Sequence, residues 1–357
     1  MNAPSKLDVW GGLPKLPSIK ELEIWRASFC NFVGLMTVGS STTMKHPLLS
    51  LILVLSLVGF AQVSHAPAAE PAPAVTIPES ARSADLKSRA AGALSGDQIR
   101  QLIRAAADKD LENEKRQRDY TYIQREEEHK LDGKGQVKSR ETRTSEVLMI
   151  YGEQVERLIA KNDKPLSEKD AAKQEEKIQK IIDKRNKESE TDRKKRLDQE
   201  EKEREKGREF VKEVADAYNF HFVGVEQLDG RDTFVIDGDP RPGYQPHLKD
   251  ARFLPKFRFR AWVDRQESQW KKLDVQCIDT VSWGLFLARI HKGTRIVIEQ
   301  TRVNDEVWLP KHVALHVDAR VVLLKGFNLD EDITYRDYKK FRADSKIVGV
   351  GELAAPQ

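Results

Sequence analysis

The side chains able to ligate a metal or act as nucleophiles are few in this chain of 357 residues, and their spacing decides what they can do. His312 and His316 lie four apart in VWLPKHVALHV, a segment that alternates apolar and polar residues. On a helix that spacing would bring two imidazoles to one ion. On a strand it leaves them about 13 Å apart at ~3.3 Å per residue, too far to share a metal. Asp237, Gly238 and Asp239 open like a calcium loop, but no bidentate Glu follows at the required distance and Pro240 comes next, so a turn is expected there. Glu126, Glu127 and Glu128 fall in an alternating segment and read as solvated charge. Cys277, between Val275 and Ile278, reads as a strand residue rather than a reactive thiol. The sequence carries no nucleophile elbow, phosphate-cradling Gly loop or Cys and His pairing of recognisable spacing. Nothing in it argues for catalysis, a metal or a cofactor.

The most apolar stretch, LLSLILVLSLVGF at 48–60, follows Met44, Lys45 and His46 and is followed by small residues. A spanning helix needs roughly 20 apolar residues. This shorter core fits a cleavable export signal at 44–66, cut after Ala66, with Ala68 as the competitor because Pro67 fits poorly just past a cut. Residues 1–43 lie upstream of where such a signal begins and read as a spurious extension ahead of a start at Met44. The expected destination is the periplasm of a Gram-negative-type envelope. The only cysteines are Cys30 and Cys277, so export would leave one thiol and no internal disulfide. An exported domain without disulfides depends on a large apolar core. Lys and Arg number 61 against 57 Asp and Glu, with the signs interspersed, which gives no footprint for nucleic acid.

These residues have to be positioned by the elements that follow. Residues 67–94 form an Ala- and Pro-rich linker. Ser95, with Gln98 three residues on, announces a helix whose stripe is Ile99, Leu102, Ile103 and Ala106. Period-2 patterning then predicts a three-strand meander from Asp119 to Asp163. A charged run at 167–206 has neither Pro nor Gly and reads as one helix, an inserted arm. Ile178, Ile181 and Ile182 are its only clustered apolar residues, so the arm is expected to be dispensable for folding. Gly207 is expected to interrupt the helix before Phe210, Val211, Val214 and Tyr218 return the chain to the core. A second block of strands follows, with turns at Asp229–Gly230, Pro240–Pro246, Asp264–Gln266, Lys292–Gly293, Asn304–Asp305 and Lys325–Gly326. In it Phe257, Phe259, Ala261 and Val263 share a face, as do Ile296 and Ile298, and Val307, Leu309, Val313, Leu315 and Val317. The expected class is α+β, mainly β: a curled antiparallel half-barrel sheet of about ten strands, covered by the helices at Ser95 and Phe210 and carrying the long charged helical arm.

This layout resembles the LolA and LolB superfamily of periplasmic lipoprotein carriers. FRAWVDRQESQWKKL at Phe259–Leu273 is similar to that superfamily's hairpin, and DITYRDYKKF at Asp332–Phe341 to its last strand. The resemblance covers about residues 95–345, leaving 346–357 as a C-terminal tail. It implies a half-barrel that shields acyl chains from water, and hence a non-enzymatic periplasmic binder or carrier of lipid or lipoprotein acyl chains. Counting apolar faces against available covers, Phe257, Phe259, Ile296, Ile298, Val313 and Leu315 are the expected cavity lining. Two other classes of function stay open. An envelope-stress sensor or adaptor on the same fold would use the arm at 167–206 to contact a protein partner. An enzyme would need a convergent polar cluster on the inner face.

Overall fold

The computed structural model describes residues 94–341 apart from 152, 284–287 and 322–326. The export-signal reading, the linker, Cys30, the turn expected at Lys325–Gly326 and the C-terminal tail lie outside the described residues. Helix α1 (Gly96–Gln117) opens on the expected capping box: the Gln98 amide donates to Ser95 Oγ, and the Ser95 amide to Gln98 Oε1. The meander is β1 (Tyr120–Leu131), β2 (Val137–Ile150) and β3 (Glu153–Lys161), with a two-residue β4 (Lys164–Pro165) beyond it. Asn162–Asp163 and Asp229–Gly230 take positive φ at both positions, the geometry that a two-residue hairpin turn between twisted strands requires.

The charged run is two helices rather than one. α2 (Glu168–Asn186) ends near Lys187, and α3 (Glu190–Ala217) begins under a Ser189 cap, where the serine Oγ accepts from the Asp192 amide. A side-chain cap thus sets the break. Gly207 lies inside α3 without interrupting it. The second block is β5 (Tyr218–Leu228), β6 (Arg231–Pro240), β7 (Phe257–Asp264), β8 (Trp270–Cys277), β9 (Val281–Trp283), β10 (Ala288–Ile290), β11 (Arg295–Val303), β12 (Val307–Val321) and β13 (Phe327–Lys340). All strands join one antiparallel sheet in the order β4-β3-β2-β1-β13-β12-β11-β8-β7-β6-β5, with β10 beside β12 and β9 beside β10. The ten strands of eight residues or more match the expected number, and the sheet is completed to thirteen by the short β4, β9 and β10.

The sheet does not close into a barrel, and α3 fixes its curl. Glu153 on β3 holds Arg196 near the start of α3, while the other end of α3 runs directly into β5. Nine strand-to-strand steps separate β3 from β5, or about 43 Å along the sheet at ~4.8 Å per step. The helix from Arg196 to Ala217 covers only about 32 Å at ~1.5 Å per residue. A sheet whose ends are held closer than its own width must bend.

Strand alternation gives the curl an inner and an outer face. The outer face carries cross-strand polar contacts such as the Arg260–Asp237 ion pair (2.6 Å) and the His316–Asp330 hydrogen bond (2.6 Å). One expected face is split by a bulge: Glu299 pairs with His312 and Gln300 with Pro310, leaving Lys311 without a partner. An extra residue reverses the phase of a period-2 strand. Val307 and Leu309 therefore form a separate cluster with Tyr120, whereas Val313, Leu315 and Val317 stay in the main core.

The arm also packs, which argues against its expected dispensability. Ile178, 2% exposed, joins Ile150 and Val155 on the outer side of β2 and β3, with Ile181 and Ile182 against them. At the turn between α2 and α3, buried Glu153 bonds Arg185 and Arg196, and Glu188 bonds the same two guanidiniums. Ile178→Ala is expected to cost about 2–4 kcal/mol. At roughly 2–4 °C per kcal/mol for a domain of this size, thermal melts should fall by several degrees. An unchanged Tm would show that the arm contributes nothing to the fold.

Candidate functional site on the inner face

The register lays the inner face out as rows. One row runs Phe259, Val275, Ile296, Leu315, Glu331, Glu128 across β7, β8, β11, β12, β13 and β1. The next runs Ala261, Leu273, Ile298, Val313, Ile333, Glu126. Both pass from apolar to acidic in one strand-to-strand step. All six residues expected to line the cavity are brought together in one cluster. Phe257, Ile296, Ile298, Val313 and Leu315 are buried, and Phe259 is half-buried against it.

Asp237-Gly238-Asp239 lies within β6 rather than in a turn. Asp237 bonds Arg260 on the outer face, and the ring of Phe259 rests on Gly238, so close that an added Cβ would lie 2.5 Å from Phe259 Cζ. An aromatic ring over a cross-strand glycine keeps that glycine in a strand interior, where it otherwise weakens pairing. The rings of Tyr218 (4.9 Å) and Phe220 (6.1 Å) complete the packing round Phe259.

The cover is larger than two helices. α1 brings Ile99 and Ala106, with Leu102 and Ile103 beside them, and α3 brings Phe210. Residues 241–256 add Phe253, which sits between Phe210 (6.0 Å) and Phe257 (5.8 Å). That segment is held to α3 by Glu213, which accepts from Tyr244 Oη (2.7 Å) and the His247 amide (2.8 Å). Toward its C-terminal end α1 is fastened by polar groups. Asn113 exchanges two hydrogen bonds with the Trp308 backbone (2.6 and 2.8 Å), Gln117 donates to the Trp308 carbonyl, and Gln269 donates to Asp110 (2.9 Å). Burial pushes the Asp110 carboxyl up to about 6, against the lowering effect of its hydrogen bonds.

At the acidic end, reading Glu126–Glu128 as solvated charge fails for Glu126. Only Glu127 turns to the outer face, where it bonds Arg125 and Arg140. Glu126 is 7% exposed and Glu331 5% exposed. Gln124 Nε2 donates to Glu126 (2.6 Å), while Glu331 Oε2 is buried without a hydrogen-bond partner. Burial, reinforced by Glu156, raises Glu126 to about 7; burial, reinforced by Glu126 and Glu128, raises Glu331 to about 8. Tyr122, packed against Tyr335 (5.8 Å) and Tyr338 (5.5 Å), walls this end. The signal was present in the sequence, because Glu126 shares phase with Tyr122, and Glu331 with Leu329 and Ile333.

His312 and His316 do not converge on an ion. Each pairs with its own aspartate across the strand gap, Asp332 and Asp330, at 2.6 Å. Among the described residues, no group of three His, Cys, Asp or Glu side chains is arranged to hold a metal. Cys277 ends β8, fully buried, with Sγ 3.0 Å from the Asp279 carbonyl, and burial pushes its thiol up to about 11. The inner face thus offers an apolar surface ending in carboxyls that are partly neutral near pH 7. It can hold hydrocarbon, take up protons, or meet a cation.

No family model and no curated protein matches the chain. Solved structures similar to it include a DUF1329 family protein from Desulfovibrio piger (10% identity, 70% of this chain and 95% of that one, TM-score 0.28). Another is a putative outer membrane lipoprotein-sorting protein domain from Vibrio parahaemolyticus (10% identity, 68% and 93%, TM-score 0.30). A third is a LolA superfamily protein from Nitrosomonas europaea (9% identity, 71% and 97%, TM-score 0.24). No helix among the described residues is long and apolar enough to cross a membrane.

The raised carboxyls carry a sign. A group whose folded pKa lies above its unfolded value stabilises the fold fully below the unfolded value, and loses that contribution as pH rises through the folded one. For Glu126 and Glu331 the window runs from the ordinary glutamate value of 4.5 up to about 7 and about 8. Thermal melts should therefore show Tm falling between about pH 4.5 and pH 8 and levelling off above that, and the double variant Glu126→Gln/Glu331→Gln should flatten that fall. A fall of equal size in the double variant would remove these carboxyls from the account.

Proposed function

We propose that the protein is a non-enzymatic periplasmic binder or carrier of lipid or lipoprotein acyl chains, with the Phe257, Phe259, Ile296, Ile298, Val313 and Leu315 face as the surface that takes the chain. The observation that supports this reading is the inner face itself: a continuous apolar surface, on a sheet that does not close on itself, part of whose cover is a helix with a short apolar stripe. The export signal and the LolA-like layout read in the sequence agree with it.

The magnitudes allow exchange of part of the cover for a ligand. Burying Ile99, Leu102 and Ile103 contributes about 2 kcal/mol each. An acyl chain of a dozen or so methylenes gains about 0.8 kcal/mol per CH₂, on the order of 10 kcal/mol in all. A chain lying where the α1 stripe now packs would return what the stripe gives up, with a surplus of roughly 4 kcal/mol to set against the cost of association, and the polar bonds of Asp110, Asn113 and Gln117 would hold the other half of α1 in place. The runner-up, an envelope-stress sensor or adaptor that contacts a protein through the arm at 167–206, is favoured by the exposed, charged side of α2 opposite Ile178.

The test is titration of the delipidated mature chain with a fluorescent acyl probe carrying an uncharged head, repeated on folded Phe259→Glu and Ile298→Glu variants. The parent should bind, and each variant should weaken binding at least tenfold, since the new carboxylate would have to be buried against hydrocarbon. No binding by the parent, or equal binding by both variants, would contradict the reading and transfer support to the adaptor.

A further inference from the structure

The acidic end of the inner face contains a group that the folded chain leaves incomplete. Glu331 is 5% exposed, and its Oε2 has no hydrogen-bond partner. It stands between Leu315 on β12, where the apolar row ends, and Glu128 on β1. Glu126 is buried one row along, beside Ile333.

The charged groups facing this spot are known from each packed strand. β1 supplies Glu126, Glu128 and Lys130, β2 supplies Glu141 and Arg143, and β3 supplies Glu156 and Lys161. The three cations have closer partners: Lys130 pairs with Glu128 (3.4 Å), Arg143 Nε donates to Glu141 (2.8 Å), and Lys161 pairs with Glu141 (3.4 Å). A buried carboxyl with a free acceptor oxygen costs stability as the ion, and keeps unused hydrogen-bonding capacity when neutral. A group that brings positive charge and several N–H donors would satisfy both Glu331 and Glu126, and the rings of Tyr122 and Tyr335 would flank it.

We infer that this end of the inner face binds an organic cation, the ammonium or guanidinium head of an amphiphile whose apolar part lies along β12, β11 and β8. The inference rests on the acyl-binding reading and names the head that goes with the chain. Three strand steps separate Glu331 from Val275, about 14 Å at ~4.8 Å per step, a row as long as an extended alkyl chain, which would lie on it in place of part of the cover. Because the carboxyls must give up protons to meet the cation, its binding strengthens as pH rises, whereas an uncharged head is indifferent.

The experiment is displacement of the uncharged fluorescent probe from the mature protein by dodecylammonium, dodecanol or dodecanoate. Dodecylammonium should displace the probe at a concentration at least tenfold lower than dodecanoate at pH 8.5, and the margin should shrink at pH 6. In Glu331→Gln, or Glu126→Gln should the first fold poorly, ammonium and alcohol should become alike. Equal potency of the three heads in the parent, or an ammonium preference that survives both substitutions, overturns the inference while leaving acyl binding intact. Failure of the uncharged probe to bind at all removes both.

Discussion

The sheet does not close on itself, and the helix that joins its two ends sets its curl. α3 is held to the Glu153 hub on β3 through Arg196 and finishes in β5, and its stretch from Arg196 to Ala217 is shorter than the sheet it spans. The curl, the existence of an inner face and the position of Phe210 over that face all follow from this strut. The cluster of Glu153, Arg185, Glu188 and Arg196 matters for the same reason. Removing one member of a buried pair leaves the others uncompensated, so the charged arm, whose composition suggests mere solvation, is where the curl is pinned.

The inner face divides its chemistry by strand. Across β5 to β12 it is aromatic and aliphatic, covered by α1, α3 and residues 241–256. At β13 and β1 the same rows continue as Glu331, Glu128 and Glu126. A core built for stability alone has no use for an unpaired buried carboxyl, since an apolar residue of similar volume would cost less. The abrupt change from Leu315 to Glu331 is more readily understood as a surface with two ends, one for hydrocarbon and one for a polar head. Along α1 the contacts divide differently, apolar from Ile99 to Ala106 and hydrogen-bonded from Asp110 to Gln117, the latter to Gln269 and Trp308 beside the apolar strands.

Much of this was legible from alternation and caps. The Ser95 capping box, the meander, the ten long strands, and the common face of Phe257, Phe259, Ile296, Ile298, Val313 and Leu315 all follow from local pattern. What escaped depends on partners distant in sequence. The bulge at Lys311 shifts Val307 and Leu309 out of phase, and a bulge is fixed by pairing with β11 rather than by the strand's own residues. Gly238 reads as part of a turn until Phe259 is placed over it. Glu126 reads as surface charge because three glutamates in a row look solvated, although its phase with Tyr122 points inward. The packing of Ile178 and the Glu153 hub needs a long-range contact that no local pattern specifies.

The central claim is that hydrocarbon lies on the inner face, in place of the α1 stripe. Its most direct test is photo-crosslinking of the mature protein with an acyl chain bearing a diazirine near its end, followed by mapping of the labelled residues by mass spectrometry. The account predicts adducts on β7, β11 and β12, at inward residues such as Phe259, Ile298 and Leu315, and on the inward stripe of α1. Labelling confined to the outer face or to the arm, with those strands unmodified, would contradict it.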